Sequence, residues 1–297
     1  MHAPTTLQAI LLGLIQGITE FLPISSTAHL RVIPALLGWD DPGAAFTAVI
    51  QLGTLAATIV YFWKDLMGLT VGALQAVRDG KPMENHESRL AFGIIIGTIP
   101  IGVLGLVLKK RIEGDLRSLV VVSCALIALA IVLLIAERTA KHSRDMSQMT
   151  FRDAFLIGCG QTCALIPGAS RSGSTITVAL LLGLKRDTAA RFSFMLGIPA
   201  VGAAGLWELK SVIKHHELGS DLIAPTVIAT VVAFVSGLAA IAGLIRFLQR
   251  RSTLSFVVYR IILGATLLTL IGTHRLDPNA GHEPKPAAQP DLVGQER

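Results

Sequence analysis

Apolar runs separated by short charged segments dominate the chain. Six are long enough to cross a bilayer: residues 44–63, 90–108, 118–136, 190–209, 222–245 and 255–273. A spanning helix needs roughly 20 such residues, so each run predicts one transmembrane helix. Two further apolar regions break the pattern. Residues 7–38 carry Gln16, Glu20, Pro23, Ser25, Ser26 and His29 near their middle, and residues 153–184 carry Gln161, Pro167, Gly168, Ser170, Arg171 and Gly173 in the same place. Such a centre is too polar for lipid, and broken backbone survives at membrane depth only inside protein or against a cavity. Both regions therefore predict re-entrant helix–loop–helix hairpins with their tips near the midplane. Residues 64–89 read as a charged loop with room for a short surface helix, and the proline-containing residues 276–297 as a disordered tail.

The hairpins read as copies of one another. Adding 144 carries Pro23 onto Pro167, Ser26 onto Ser170, Leu52-Gly53 onto Leu196-Gly197 and Trp63 onto Trp207. Adding 145 carries Gln16 onto Gln161 and Leu36-Leu37-Gly38 onto Leu181-Leu182-Gly183. Each copy holds one hairpin and three spans, and an odd number of crossings turns the second copy upside down. The expected fold is thus an all-α integral membrane protein of six transmembrane helices plus two re-entrant hairpins in an inverted-topology repeat. It forms a single polytopic domain over residues 1–275, with repeats at about 5–140 and 150–275.

Composition sharpens this picture. Hydrophobic residues make up 52% and charged residues 15%, and the mean hydropathy is +0.62. These values exclude a soluble cytosolic enzyme and a disordered chain alike. The 26 Lys and Arg outnumber the 20 Asp and Glu, but most lie in loops between apolar runs, which points to membrane orientation and not to nucleic acid. Under the expected topology the richer basic face carries Lys64, Arg78, Lys81, Arg89, residues from Arg138 to Arg152, Lys185, Arg186, Arg191 and those from Arg246 to Arg260. The positive-inside rule puts that face in the cytoplasm and both termini outside. Cys124, Cys159 and Cys163 lie in apolar stretches, so no disulfide framework is expected. No Lys or Arg occurs in the first thirty residues and Glu20 soon interrupts the apolar run, so no cleaved signal peptide is expected.

The chemistry concentrates in the hairpin centres. Gln16 and Glu20 are four apart and share a helix face, as do Ser26 and His29, three apart, on the returning arm. Ser25 and Thr27 add hydroxyls beside them. In the second hairpin, Gly168, Ser170, Ser172, Gly173 and Thr175 suit a nest of free backbone N–H groups at a helix start, a feature that binds anions. Arg171 adds a planar five-donor fork that matches phosphate oxygens. Blander roles compete: a serine can be only a helix N-cap, Glu20 and Arg171 can merely neutralise each other, and His29 can be a satisfied interior histidine. Taken together these do not explain why carboxylate, hydroxyl, imidazole and guanidinium share one midplane.

The segments Gln16-x-x-x-Glu20, Pro-Ile-Ser-Ser-Thr-Ala-His ending at His29, and Pro-Gly-Ala-Ser-Arg-Ser-Gly ending at Gly173 resemble those of the undecaprenyl-diphosphate phosphatase family, the bacitracin-resistance proteins. The resemblance covers residues 5–273. That family takes Glu or Gln where Gln16 stands, and Ala28 stands where Gly is common. The resemblance implies hydrolysis of undecaprenyl diphosphate to the monophosphate plus inorganic phosphate at the bacterial plasma membrane. It also implies recycling of a cell-wall lipid carrier, bacitracin resistance, and a divalent cation, calcium or magnesium.

On this reading Arg171 and the nest hold the diphosphate, with Gln16, Ser25, Thr27, Gly168, Ser170, Ser172, Gly173 and Thr175 as further binding residues. Ser26 attacks the terminal phosphorus or positions a water that does. His29 or Glu20 takes the proton, with Glu20 alternatively holding the cation; a carboxylate beside a cation is a poor base, which favours His29. The rival is an alternating-access transporter or flippase for a phosphate-bearing lipid or anion, which needs the clamp but no aligned nucleophile and base. Small residues along 93–105 and 197–205 would permit close helix packing within one chain or in a homodimer.

Overall fold

The computed structural model describes residues 3–40, 43–113, 116, 118–215 and 220–280. Among them the regular structure is helical, apart from one isolated bridge between Arg144 and Leu184. The helices in chain order are α1 (Thr6–Thr19), α2 (Ser26–Leu37), α3 (Gly43–Tyr61), α4 (Trp63–Arg78), α5 (His86–Glu113), α6 (Leu119–Thr139), α7 (Phe151–Gln161), α8 (Arg171–Leu181), α9 (Arg186–His215), α10 (Ser220–Leu248) and α11 (Leu254–Gly272). Five of these, α5, α6, α9, α10 and α11, contain segments long and apolar enough to cross a membrane, and a sixth span results if α3 and α4 count as one, although they meet at a 72° bend. The run expected to end at Trp63 therefore stops at Tyr61, and Trp63 opens α4 instead. That helix turns Leu69, Gly72 and Ala76 inward and leaves Trp63, Met67, Val71, Leu74 and Val77 exposed.

Local chemistry explains the breaks. A capping box between Thr5 and Gln8 starts α1, and another between Thr150 and Asp153 starts α7. Ser25 caps α2 and Ser170 caps α8, each accepting from the N–H three residues on. Gly38, with φ +65°, ends α2 in the left-handed region. The turn between α1 and α2 contains Pro23, and a 3₁₀ turn, Thr162–Leu165, precedes Pro167 and α8.

Small residues set the packing, since lipid offers helices little hydrophobic drive to associate. Gly13 and Gly17 let α1 lie against α10; a Cβ at Gly13 would meet the Ala229 carbonyl oxygen at 2.5 Å. On the other side Gly158 of α7 rests directly on the backbone of Gly97 in α5. Gly93 likewise faces Ala154, and Gly205 faces Leu52. Those members of the small-residue stripes thus meet neighbours in the same chain. Phe21, beneath the first hairpin turn, packs edge-on against Phe194 of α9 at 5.2 Å. Two polar clasps hold the helix ends: Glu137 of α6 accepts from Arg186 of α9 and from Thr253 before α11, while Arg144 joins Asp153 at 2.5 Å and donates to the Leu182 carbonyl at 2.7 Å. All three cysteines are free.

Two expectations are corrected here. Residues 276–280 do not begin a loose tail: Leu276 is buried with Val32, Leu119 and Leu267, and the Leu119 N–H donates to the Pro278 carbonyl at 2.8 Å. Residues 281–297 lie outside the described part. Arg260, assigned above to the basic face, is fully buried in α11.

Candidate active site

The turns after α1 and before α8 meet each other. Ser172 Oγ donates to the Leu22 carbonyl at 3.1 Å, so the second hairpin is tied directly to the first. Ser25 and Ser170 adopt positive φ angles of 74° and 71°. A non-glycine residue there is strained and persists only where its surroundings dictate it. As matched N-caps they pair at an offset of 145, not the 144 read from Ser26 and Ser170. Ser26 and Arg171 therefore occupy equivalent places, the first residues of α2 and α8.

Around Glu20 the contacts converge. Ser26 Oγ donates to Glu20 Oε2 at 2.6 Å, and Gln16 Nε2 donates to the same oxygen at 3.2 Å and to Thr54 Oγ1 at 3.4 Å. Arg171 Nη2 stands 3.5 Å from Glu20 Oε1, while its Nη1 donates to the Ser193 carbonyl at 3.1 Å. Among the described residues the buried Nε of Arg171 finds no acceptor. A buried donor left unpaired costs about 1–3 kcal/mol.

His29 faces elsewhere. Its Nδ1 is 2.7 Å from the Ser25 carbonyl and its Nε2 is 2.6 Å from the Tyr259 hydroxyl, with the two rings stacked at 5.6 Å. The carbonyl can only accept, so Nδ1 carries the proton; in the neutral ring Nε2 then accepts from Tyr259. Neither ring nitrogen bonds Ser26.

A cavity of about 200 Å³ opens beside this cluster. Glu20, Ser25, Ser26, Thr27, Gln51, Ser170 and Arg171 are its polar lining residues; Ile101, Ala164, Ala200, Val201 and Ala204 are its apolar ones. That mixture suits a polar headgroup carrying a hydrocarbon. Other expected binding residues stand behind the wall. Gln16 braces Glu20, and Thr175 Oγ1 pairs with Ser193 Oγ at 2.5 Å. Gly173 N–H donates to Ser170 Oγ at 3.1 Å, and Gly168, at φ +93°, is pressed against Val122. Ser193, Tyr259 and Arg260 were missed by sequence reasoning. Arg260 did leave a signal, a lone charge inside the apolar run 255–273.

Glu20 is the one carboxylate among the residues lining the cavity, and no cluster of three metal-ligating side chains occurs among the described residues. Magnesium is commonly held by one or two carboxylates plus substrate phosphates. This donor set therefore suits a cation that arrives with a phosphate ligand.

A family model described as "Bacitracin resistance protein BacA" matches residues 9–266. Similar proteins include an undecaprenyl-diphosphatase of Myxococcus xanthus (strain DK1622), 53% identical over 277 residues, covering 93% of each chain. Another, from Chlorobaculum parvum (strain DSM 263 / NCIMB 8327), is 50% identical over 278 residues, 91% of this chain and 99% of that protein. A third undecaprenyl-diphosphatase, from Chloroherpeton thalassium (strain ATCC 35110 / GB-78), is 49% identical over 278 residues, 91% of this chain and 98% of its own.

Proposed function

The chain belongs to the bacitracin resistance protein family, and from that premise we propose that it is a membrane undecaprenyl-diphosphatase with Ser26 as nucleophile and Glu20 as its proton acceptor. The observation that carries these roles is the 2.6 Å bond from Ser26 Oγ to Glu20 Oε2 at the edge of a cavity that also contains Arg171. Phosphoryl transfer is mainly positioning plus stabilisation of charge on the transferring oxygens. The diphosphate lies against the polar lining residues, its terminal oxygens on Arg171, with the hydrocarbon along Ile101, Ala200 and Ala204. Ser26 Oγ attacks the terminal phosphorus as its proton passes to Glu20. The bond to the bridging oxygen breaks, and undecaprenyl phosphate leaves with the proton that Glu20 took up. Water then attacks the phosphoserine, giving a proton to Glu20, which returns it to Ser26 Oγ as the phosphorus–serine bond breaks and inorganic phosphate departs. In a one-step variant Ser26 only orients that water. His29 holds the Ser25 turn. Glu20 and the phosphate oxygens would hold a calcium or magnesium ion, which would supply charge neutralisation and, by drawing on Glu20, weaken it as a base.

The same reading covers the architecture. The crossed packing of α1 on α10 and α7 on α5, with the matched caps at Ser25 and Ser170, supports an inverted repeat whose two re-entrant hairpins meet at the midplane. The basic bias of the loops supports both termini outside. Gly102, which meets nothing within 4 Å, and the exposed Ala203 are members of the small-residue stripes left for a homodimer contact.

Phosphate release from undecaprenyl diphosphate by the purified protein in detergent, with and without chelator, tests the proposal. Arg171→Ala is expected to lose at least about 100-fold in turnover, as on removing a preorganised donor to a transition-state anion. Ser26→Ala is expected to abolish turnover while lipid binding persists; a loss of only several-fold would leave the water-orienting variant. Absence of release from a folded wild type that still binds the lipid would favour a carrier.

A further inference from the structure

Arg260 is fully enclosed, at 0% exposure, in the second turn of α11. Among the described residues no carboxylate pairs with it. Its guanidinium donates instead to five backbone carbonyls. Nε reaches Leu126 at 3.1 Å, and Nη1 reaches Pro23 at 3.3 Å. Nη2 reaches Ala125 at 3.3 Å, with Gly168 and Ala169 both at 3.1 Å. Leu126 and Ala125 belong to α6. Pro23 belongs to the turn leading into Ser25 and Ser26, and Gly168 and Ala169 to the turn leading into Ser170 and Arg171. A charge at membrane depth is expensive even when hydrogen-bonded, so a neutral residue would serve better if filling space were the only need.

We propose that Arg260 is a positioning residue for phosphoryl transfer: it pins the turn carrying the Ser26 nucleophile to the turn carrying the Arg171 clamp, and fixes the distance between them. This rests on the phosphatase reading above. Three observations support it. The pinned carbonyls lie just before the two strained serines, where an external anchor is needed to hold positive φ. In the trans peptide joining Ala169 to Ser170 the carbonyl and N–H point opposite ways. With the carbonyl held by Arg260, the Ser170 N–H is turned away from it, and Ser170 lines the cavity. Finally, a Cβ at Gly173 would fall 2.8 Å from Arg260 Nη1. The glycine following Ser172 therefore makes room for the guanidinium. Only arginine offers five donors in one plane, wide enough to reach three chain segments; a lysine ammonium gathers three donors at one point.

The test compares Arg260→Met, Arg260→Lys and Gly173→Ala with wild type by kcat and KM for phosphate release from undecaprenyl diphosphate. Folded, monodisperse protein in detergent is assayed well below its unfolding temperature. A displacement near 1 Å between reacting groups costs about 100-fold, which is the kcat loss expected for the methionine variant. The lysine variant should fall between it and wild type, and Gly173→Ala should lose about tenfold, a smaller shift by the same mechanism. KM should stay within about threefold, because the clamp and the apolar wall still bind. The pH profile should keep its shape, since the Ser26–Glu20 pair is unchanged. A methionine variant with kcat per folded molecule within about threefold of wild type overturns the proposal, as does a loss carried by KM. Failure of both Arg260 variants to fold would make Arg260 a folding residue and overturn it equally. If wild type itself releases no phosphate, the phosphatase reading fails, a distinct result.

Discussion

Ser26 and Arg171 occupy the same structural position in the two hairpins, each the first helical residue after a serine cap with positive φ. In the first hairpin that position holds a hydroxyl, in the second a guanidinium. Glu20 has no carboxylate counterpart, because an offset of 145 carries it onto Leu165. Gln161, the counterpart of Gln16, is buried with neither amide atom bonded among the described residues. On the proposed mechanism the acid–base chemistry falls to the first hairpin and the anion clamp to the second. Helical spacing correctly placed Ser26 and His29 on one arm, but the 2.6 Å bond goes from Ser26 to Glu20. That choice depends on the turn conformation, which residue types do not disclose. Glu20→Gln is accordingly expected to lower kcat by about 10²–10⁴-fold, the usual contribution of a positioned acid–base group. His29→Gln, which removes a brace on Ser25 and the contact with Tyr259, should cost about tenfold. Both are read from phosphate release at saturating substrate; equal losses would return the base role to His29.

At the level of elements, the turn of the second hairpin is crowded. Gly168 has φ +93°, and a Cβ there would strike the Val122 carbonyl of α6. Gly168→Ala should therefore destabilise the protein by about 1–3 kcal/mol from backbone strain alone, measured as a lower unfolding midpoint in detergent, with turnover reduced further because Arg171 moves. Unchanged midpoint and turnover would refute the crowding argument. The base of the second hairpin is held by Arg144 and Asp153. Burial pushes the Asp153 carboxyl up, but hydrogen bonds from Arg144 and Thr150 outweigh this and hold it below the usual range. A depressed carboxylate stabilises the fold above its unfolded pKa of about 3.9, and the contribution disappears as pH falls through the folded value. Asp153→Asn should thus lower the unfolding midpoint at neutral pH, and the gap from wild type should close in acid below the ordinary Asp range. A gap that is constant with pH would show that the ion pair is not its source.

For the whole molecule, the orientation argument weakens by one residue, since Arg260 lies inside and not on the basic face. Enough of that bias remains to expect a cysteine placed beside Arg78 to be shielded from an impermeant thiol reagent in intact cells, and labelled only after the membrane is opened. Labelling in intact cells would invert the assignment. Long apolar runs, prolines in polar centres and paired hydroxyl–charge motifs were enough to determine the membrane class, the two broken helix pairs and six of the twelve residues that line the cavity. Burial in lipid penalises every polar group, so those that remain stand out in one dimension. The partner of Ser26, the 72° bend after Tyr61, the docking of residues 276–280 and the enclosure of Arg260 were decided only by tertiary structure. Arg260 bonds Pro23, 237 positions away, and no local pattern encodes a contact between segments that meet only when the chain has packed.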